Sequence, residues 1–388
     1  MFPLFFGNQN ANGASTETKM RITDLTVFSY KAKYNYGVYT MSGGRISDGE
    51  PSLVIRIRTD SDIEGWSENA PLGSDYLPSS FTGEIAALKE LGPKIIGLDP
   101  RSPAAVCAVM DRVMMSGMGA KSVIDLACWD ILGKSVGLPT HILLGGRLTE
   151  ESTAFSVVGF GEIPTAIQKA KAELDKGVIA MQLKVGDDPL VDAQRVRAIR
   201  EVLPESVKVW ADANASWNLD QAIVFARTLG QDITIPLEQP CRSLSDCAEV
   251  GRRTGLPVIL DECVFTMADV VAAHAAGITG INIKLSRVGG LTKARILRDA
   301  AVGLEMMVNV DDTWGCALTT AQNLQLAAST RPDRLRAVDL FAEWTNPLIS
   351  EIPRMQANGR ITPTSLPGNG FGAVNVELLG EPLFHITA

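Results

Sequence analysis

Six short apolar runs in the second half of the chain each close on a charged residue: Lys184 (MQLKVG), Asp212 (VWADAN), Glu238 (IPLEQP), Asp261 (VILDEC), Lys284 (INIKLS) and Asp311 (NVDDTW). The successive spacings are 28, 26, 23, 23 and 27 residues, the length of a strand–helix unit. A charge at the end of an apolar strand is costly to bury unless it is paired or bound to a metal. One such residue is ordinarily a structural ion pair; six in succession read as a site. Asp212, Glu238 and Asp261 are consecutive, so three carboxylates converge. All-oxygen ligands without His or Cys suit a hard divalent ion, Mg²⁺ or Mn²⁺, with open positions for water or substrate. A lysine near such an ion, and partly desolvated, has its pKa pushed down and can act as a base. For Lys184 and Lys284 a salt bridge to a ligand carboxylate is the plainer role, and both roles can coexist. The chemistry that fits is proton abstraction beside a carboxylate whose enolate a metal holds.

These residues need a frame that brings them together. Strand-like runs recur at 152–159, 179–185, 208–213, 233–238, 257–262, 280–285, 306–311 and 337–342, with helical stretches between them such as 163–177, 188–203, 218–230 and 290–302. Eight strands separated by helices predict parallel βαβ units closing into a barrel, with chemistry at the C-terminal strand ends. Strands two and six then lie opposite each other, so Lys184 and Lys284 face across the mouth and could address opposite faces of one substrate carbon. The rival layout, an open doubly wound sheet, needs a GxGxxG in its first turn, and none follows the first run. No helix is expected after the eighth strand.

Upstream, 20–33 and 52–60 alternate apolar and polar residues, as half-exposed antiparallel strands do. Residues 34–50 and 67–80 look like loops, and 82–91, 103–117 and 119–135 carry helical patterns, which makes an α+β unit. The expected organisation is a disordered leader over 1–19, an α+β domain over 20–145, a barrel over 146–350, and a Gly- and Pro-rich segment, 351–388, that returns to the α+β domain.

The 388 residues carry 36 Lys+Arg against 44 Asp+Glu, a net charge of −8. That balance argues against a nucleic-acid partner, which needs a basic footprint. No apolar run approaches the roughly 18 residues of a membrane span, and the N-terminus lacks the basic n-region of a signal peptide. Six cysteines without CxxC spacing read as reduced thiols, hence a cytoplasmic protein.

From Met20 onward the chain resembles the enolase superfamily, in its muconate-lactonizing/mandelate-racemase branch. The strand-end residues carry the resemblance, with the helix AKSVIDLACWDILGKSVGLP (120–139), where Val123 replaces a smaller residue. The resemblance implies a modified (β/α)7β barrel with an N-terminal α+β capping domain, Mg²⁺ on Asp212, Glu238 and Asp261, and acid–base lysines at Lys184 and Lys284. It also implies a homo-oligomer, with an octamer among the forms. Two departures stand out. The usual Lys-x-Lys of strand two is Gln182-Leu183-Lys184, and none of His141, His274 and His385 falls on strand seven, where racemases of the mandelate type use one.

For the substrate, Asp312 and Trp314 at the strand-seven exit (DDTWGC) offer a carboxylate and an indole face to an ammonium group. The loop PLGSDYLP (71–78) adds Tyr76 and Asp75. Core packing for Trp314 and a plain surface turn for the loop are the alternatives. Together these residues suggest a small cationic amino acid. The pairing of QLK with DDTWG resembles branch members acting on proline derivatives, and APLGSDYLP looks like the cis-3-hydroxy-L-proline dehydratases. The implied activity is that of a lyase giving pyrroline-2-carboxylate through an enediolate. The alternative is a 2-epimerase or racemase of proline or its betaine, and a remote one is a barrel that binds a ligand without catalysis.

Overall fold

The computed structural model describes residues 19–35, 37–40 and 46–387. The expected leader lies outside them apart from Lys19. No described helix is long and apolar enough to cross a membrane, and all six cysteines are unpaired.

Eight parallel strands pair in sequence order: Ser156–Val158, Ala180–Lys184, Lys208–Asp212, Leu237–Glu238, Val258–Leu260, Gly280–Lys284, Met307–Asp311 and Leu335–Val338. They are called barrel strands one to eight below. Strand eight closes onto strand one through a parallel bridge between Val338 and Ala154, with Phe155 N donating to Val338 O at 3.0 Å. The register aligns the rim: Lys184 pairs with Asp212, Asp212 with Glu238, and Lys284 with Asp311. Since side chains alternate in and out of a strand, this register turns a spacing in sequence into one ring of charges.

The strands are shorter than their apolar runs, and in three of them the cause is visible. Strand four is two residues long because Pro236, with no N–H to give, precedes it; its carbonyl still accepts from Ala211 N at 3.0 Å. Strand eight stops at Val338, not 342, because the Asp339 side chain accepts from Phe341 N and opens a one-turn helix, Phe341–Trp344. Such a local carboxylate–backbone bond competes with a sheet ladder. In the first run, Ser152–Thr153 leaves the barrel to pair with Arg360–Ile361.

The N-terminal unit is a four-stranded antiparallel sheet in the order Phe384–Thr387, Ile22–Lys31, Pro51–Thr59, Glu64–Asn69. One face packs on the helices Phe81–Ile95, Pro103–Val113 and Met118–Val136 through Leu25, Ile55, Leu91, Met110 and Ile124. The half-exposed sheet expected from the alternation is not what forms. Its other face, with Phe28, Tyr30, Val54 and Trp66, is covered by Cys316, Ala317, Leu318 and Ala321 at the start of the helix after strand seven and by Phe371.

Residues 67–69 are likewise strand, not loop. Glu68 is buried and accepts from Ser52 Oγ at 2.7 Å and from Leu318 N at 3.0 Å. A carboxylate thus satisfies free N–H groups at the start of a barrel helix. Polar residues that read locally as a loop are here the joint between sheet and barrel.

Candidate active site

Lys184 and Lys284 project into one cavity of about 590 Å³. Lys184 Nζ lies 2.5 Å from Asp212 Oδ2 and 3.1 Å from Asn214 Oδ1. Lys284 Nζ donates to the Tyr76 hydroxyl at 2.6 Å and sits 3.0 Å from Asp261 Oδ2 and 3.8 Å from Asp311 Oδ2. Burial alone would push the Lys284 ammonium down, but Asp261, Tyr76 and Asp311 hold it well above the ordinary lysine value. Carboxylates surround this amine, and their charge outweighs its burial.

Asp212, Glu238 and Asp261 end neighbouring strands and are all buried. Glu238 accepts from Trp210 Nε1 at 2.7 Å, Asn282 Nδ2 at 2.6 Å and Gln182 Nε2 at 3.1 Å. Gln182, where a lysine is usual, is thus a neutral donor to a carboxylate. Asp261 is bound by the Arg287 guanidinium and accepts from the Tyr76 hydroxyl at 3.1 Å.

Among the described residues no three His, Cys, Asp or Glu side chains form a ready-made metal cage. The three carboxylates are turned instead toward protein cations and donors. Their chemistry nonetheless fits a hard divalent ion. Burial and then repulsion from Asp212 and Asp261 hold Glu238 well above the usual carboxylate range, a penalty that a bound cation would relieve. Burial opposes ionisation of Asp261 too, yet Arg287 and Lys284 hold it below that range. Around the mouth, Asp75, Asp212, Glu238, Asp261, Glu262, Asp311 and Asp312 outnumber Lys184, Arg242, Lys284 and Arg287.

Tyr76, Asp312 and Trp314 all line the cavity, as does Asp75. Trp314 packs 5.0 Å from the Tyr34 ring and 5.1 Å from Phe341, so it is both core and cavity wall. The Asp312 carboxylate accepts from Ser286 Oγ and from Thr313 N at 2.7 Å. That ties it to its own loop and to the helical turn after strand six, while Asp311 is the acid facing Lys284. No histidine lines the cavity.

Several cavity residues escape a reading of strand ends. Glu262 accepts from Asn214 Nδ2 at 3.0 Å, and burial with the charges of Asp261 and Asp212 pushes it up to about 8. Its adjacency to Asp261, and the two-residue step from Asp212 to Asn214, were the available signals. Arg287 stands one helical turn after Lys284, which is also a signal in hindsight. Phe341 falls within the run 337–342 that reads as strand eight, and Trp344 ends the one-turn helix that forms there instead.

The same arrangement has relatives. Residues 165–374 match the family model described as enolase C-terminal domain-like, and 25–145 match the mandelate racemase/muconate lactonizing enzyme N-terminal domain. The chain is 35% identical over 367 residues to cis-3-hydroxy-L-proline dehydratase of Roseibium aggregatum, covering 94% of this chain and 99% of that one. It is 29% identical to a hydrophobic dipeptide epimerase of Enterococcus faecalis, over 81% of this chain and 90% of that one. A crystal structure of an enolase-superfamily member from Roseovarius nubinhibens ISM, complexed with magnesium, superposes with a TM-score of 0.88 at 34% identity, covering 95% of this chain and 100% of that one.

Proposed function

The chain belongs to the mandelate racemase/muconate lactonizing enzyme family of the enolase superfamily, and from that premise we propose that it dehydrates cis-3-hydroxy-L-proline to pyrroline-2-carboxylate. The observation that carries this reading is the pair of amines, Lys184 and Lys284, that border one cavity from opposed strands. The 35% identity to a dehydratase of that substrate supports it.

In cis-3-hydroxy-L-proline the hydroxyl shares a ring face with the carboxylate, so the α-hydrogen lies on the other face. Elimination must therefore be anti. One lysine, as the free amine, takes the α-hydrogen as a proton, and the C–H electron pair moves into the carboxylate to give an enediolate; the pair then returns to form the C2–C3 double bond as the C3–O bond breaks. The opposite lysine, as the ammonium, gives its proton to the departing oxygen, and water leaves. The enamine then tautomerises to the cyclic imine. Asp212, Glu238 and Asp261 would hold Mg²⁺, which when bound supplies positive charge against the substrate carboxylate as that group gains electron density. Trp314 and the neighbouring acids would receive the substrate ammonium.

A second reading, a 2-epimerase of N-alkylated proline, is favoured by the rings of Tyr76, Phe155, Trp314, Phe341 and Trp344 in the cavity wall, since aromatic surfaces suit alkylated ammonium groups. Incubation with Mg²⁺ and a panel of proline derivatives in D₂O, followed by NMR, separates the two. Pyrroline-2-carboxylate from cis-3-hydroxy-L-proline is the expected product. Epimerisation of N,N-dimethylproline with the hydroxylated substrate untouched would replace the dehydratase reading by the epimerase one.

A further inference from the structure

We propose that Asp192 and Arg195, on the helix after strand two, are positioning residues that aim Lys184; the role rests on the two-lysine reading above. Both side chains are buried, 1% and 5% exposed, and both reach back to the backbone that follows the lysine. Asp192 Oδ2 accepts from Gly186 N at 2.8 Å and Asp187 N at 2.9 Å. Its Oδ1 accepts from Arg195 Nη2 at 2.6 Å, and the same nitrogen donates to the Lys184 carbonyl at 2.7 Å. The guanidinium lies 5.2 Å from the Phe160 ring, on the exit of strand one.

The clamp grips a turn with little freedom. Gly186 has φ +125°, and a Cβ there would fall 2.7 Å from the Ala213 carbonyl oxygen. Trp217 Nε1 donates to Asp187 O at 2.9 Å on the far side. A buried ion pair contributes little net stability compared with well-packed apolar residues, so its use here points to geometry. Three hydrogen bonds from one pair to the backbone fix where the Lys184 Cα sits and hence where its long side chain points. Misplacing a reacting group by about 1 Å can cost roughly 100-fold in rate.

The test reads each face of the substrate carbon separately. With the full chain and Mg²⁺, α-hydrogen exchange of L-proline and of D-proline in D₂O is followed by NMR for wild type, Lys184→Ala, Arg195→Lys and Phe160→Leu. Lys184→Ala should abolish exchange of one enantiomer and spare the other. Arg195→Lys, which keeps the charge and loses the fork, should slow that same enantiomer roughly 10- to 100-fold and leave the other within about twofold. Phe160→Leu, a milder change that leaves the ion pair in place, should slow the same enantiomer to a smaller degree. An even slowdown of both enantiomers, or no slowdown in either clamp variant, overturns the clamp alone. Lack of enantiomer selectivity in Lys184→Ala, or no exchange by wild type, overturns the two-base reading and the clamp with it.

Discussion

The two lysines at the mouth are held in opposite ways. Lys284 is fixed through its side chain, by Asp261, Asp311 and the Tyr76 hydroxyl, and its ring contact with Tyr76 is 5.1 Å. One of those partners comes from the loop 71–78 of the N-terminal unit. Lys184 meets Asp212 and Asn214, and its backbone is gripped from the helix behind it. One amine is set in a web of buried charge that includes the cap, and the other by the neighbouring strand and the helix behind it. Perturbing the cap should therefore be felt on one face of the substrate carbon and not on the other.

The largest expected effect removes either amine. Lys184→Ala and Lys284→Ala should each lower dehydration at least roughly 10²- to 10⁴-fold, the usual weight of an acid–base group. Exchange at the opposite face should survive in each. Full turnover by either variant would break the anti-elimination scheme.

Next comes a contrast between the acids. Asp261→Asn leaves Arg287 and Lys284 buried beside a neutral amide, and breaking such a buried pair costs about 3–5 kcal/mol. Asp212→Asn affects Lys184, whose side chain is 14% exposed and can turn to water, so its stability loss should be smaller. Urea unfolding of the two variants measures the difference. Mg²⁺ titration calorimetry should show weaker binding in both. Equal stability losses would erase the distinction between the two stations.

A smaller effect is expected from Tyr76→Phe, which removes one hydroxyl from Lys284 and Asp261 and keeps the ring. A hydrogen bond to a charged group contributes about 1.5–3 kcal/mol, so exchange on the Lys284 face should fall roughly tenfold or more. Exchange on the Lys184 face should stay within about twofold. If both faces slow together, the cap acts on the site as a whole.

The contrast also explains what could be read from the sequence. Charges that end strands repeat with the βα unit, so Lys184, Asp212, Glu238, Asp261 and Lys284 stand out by spacing alone, and the barrel with them. Contacts that depend on distant partners do not. Glu68 looks like a loop residue because the helix it caps begins 250 residues later. The sheet face carrying Phe28 and Val54 reads as half-exposed for the same reason. Glu262 and Asn214 find each other only when strands three and five are brought side by side around strand four. Arg195 shows its role only through the Lys184 carbonyl, and a backbone acceptor leaves no mark on a sequence.

The smallest predicted effect concerns Trp314, where recognition and packing share one side chain. The ring is buried against Tyr34, Phe341 and Trp344, so Trp314→Ala would open a cavity costing about 3–5 kcal/mol and blur any effect on the substrate. Trp314→Phe keeps an aromatic ring in the cluster and weakens the face that attracts a cation, for which indole is the best side chain. A loss of about 0.5–1 kcal/mol corresponds to a KM raised roughly two- to fivefold, with kcat within about twofold. Unlike Tyr76→Phe, this change should leave the ratio of exchange at the two faces unaltered, because the indole packs against Tyr34, Phe341 and Trp344 whereas the tyrosine hydroxyl bonds to Lys284. Steady-state kinetics on cis-3-hydroxy-L-proline and on N,N-dimethylproline tests the assignment. A KM shift confined to the dimethylated compound would mean that the indole serves an alkylated nitrogen, which favours the epimerase.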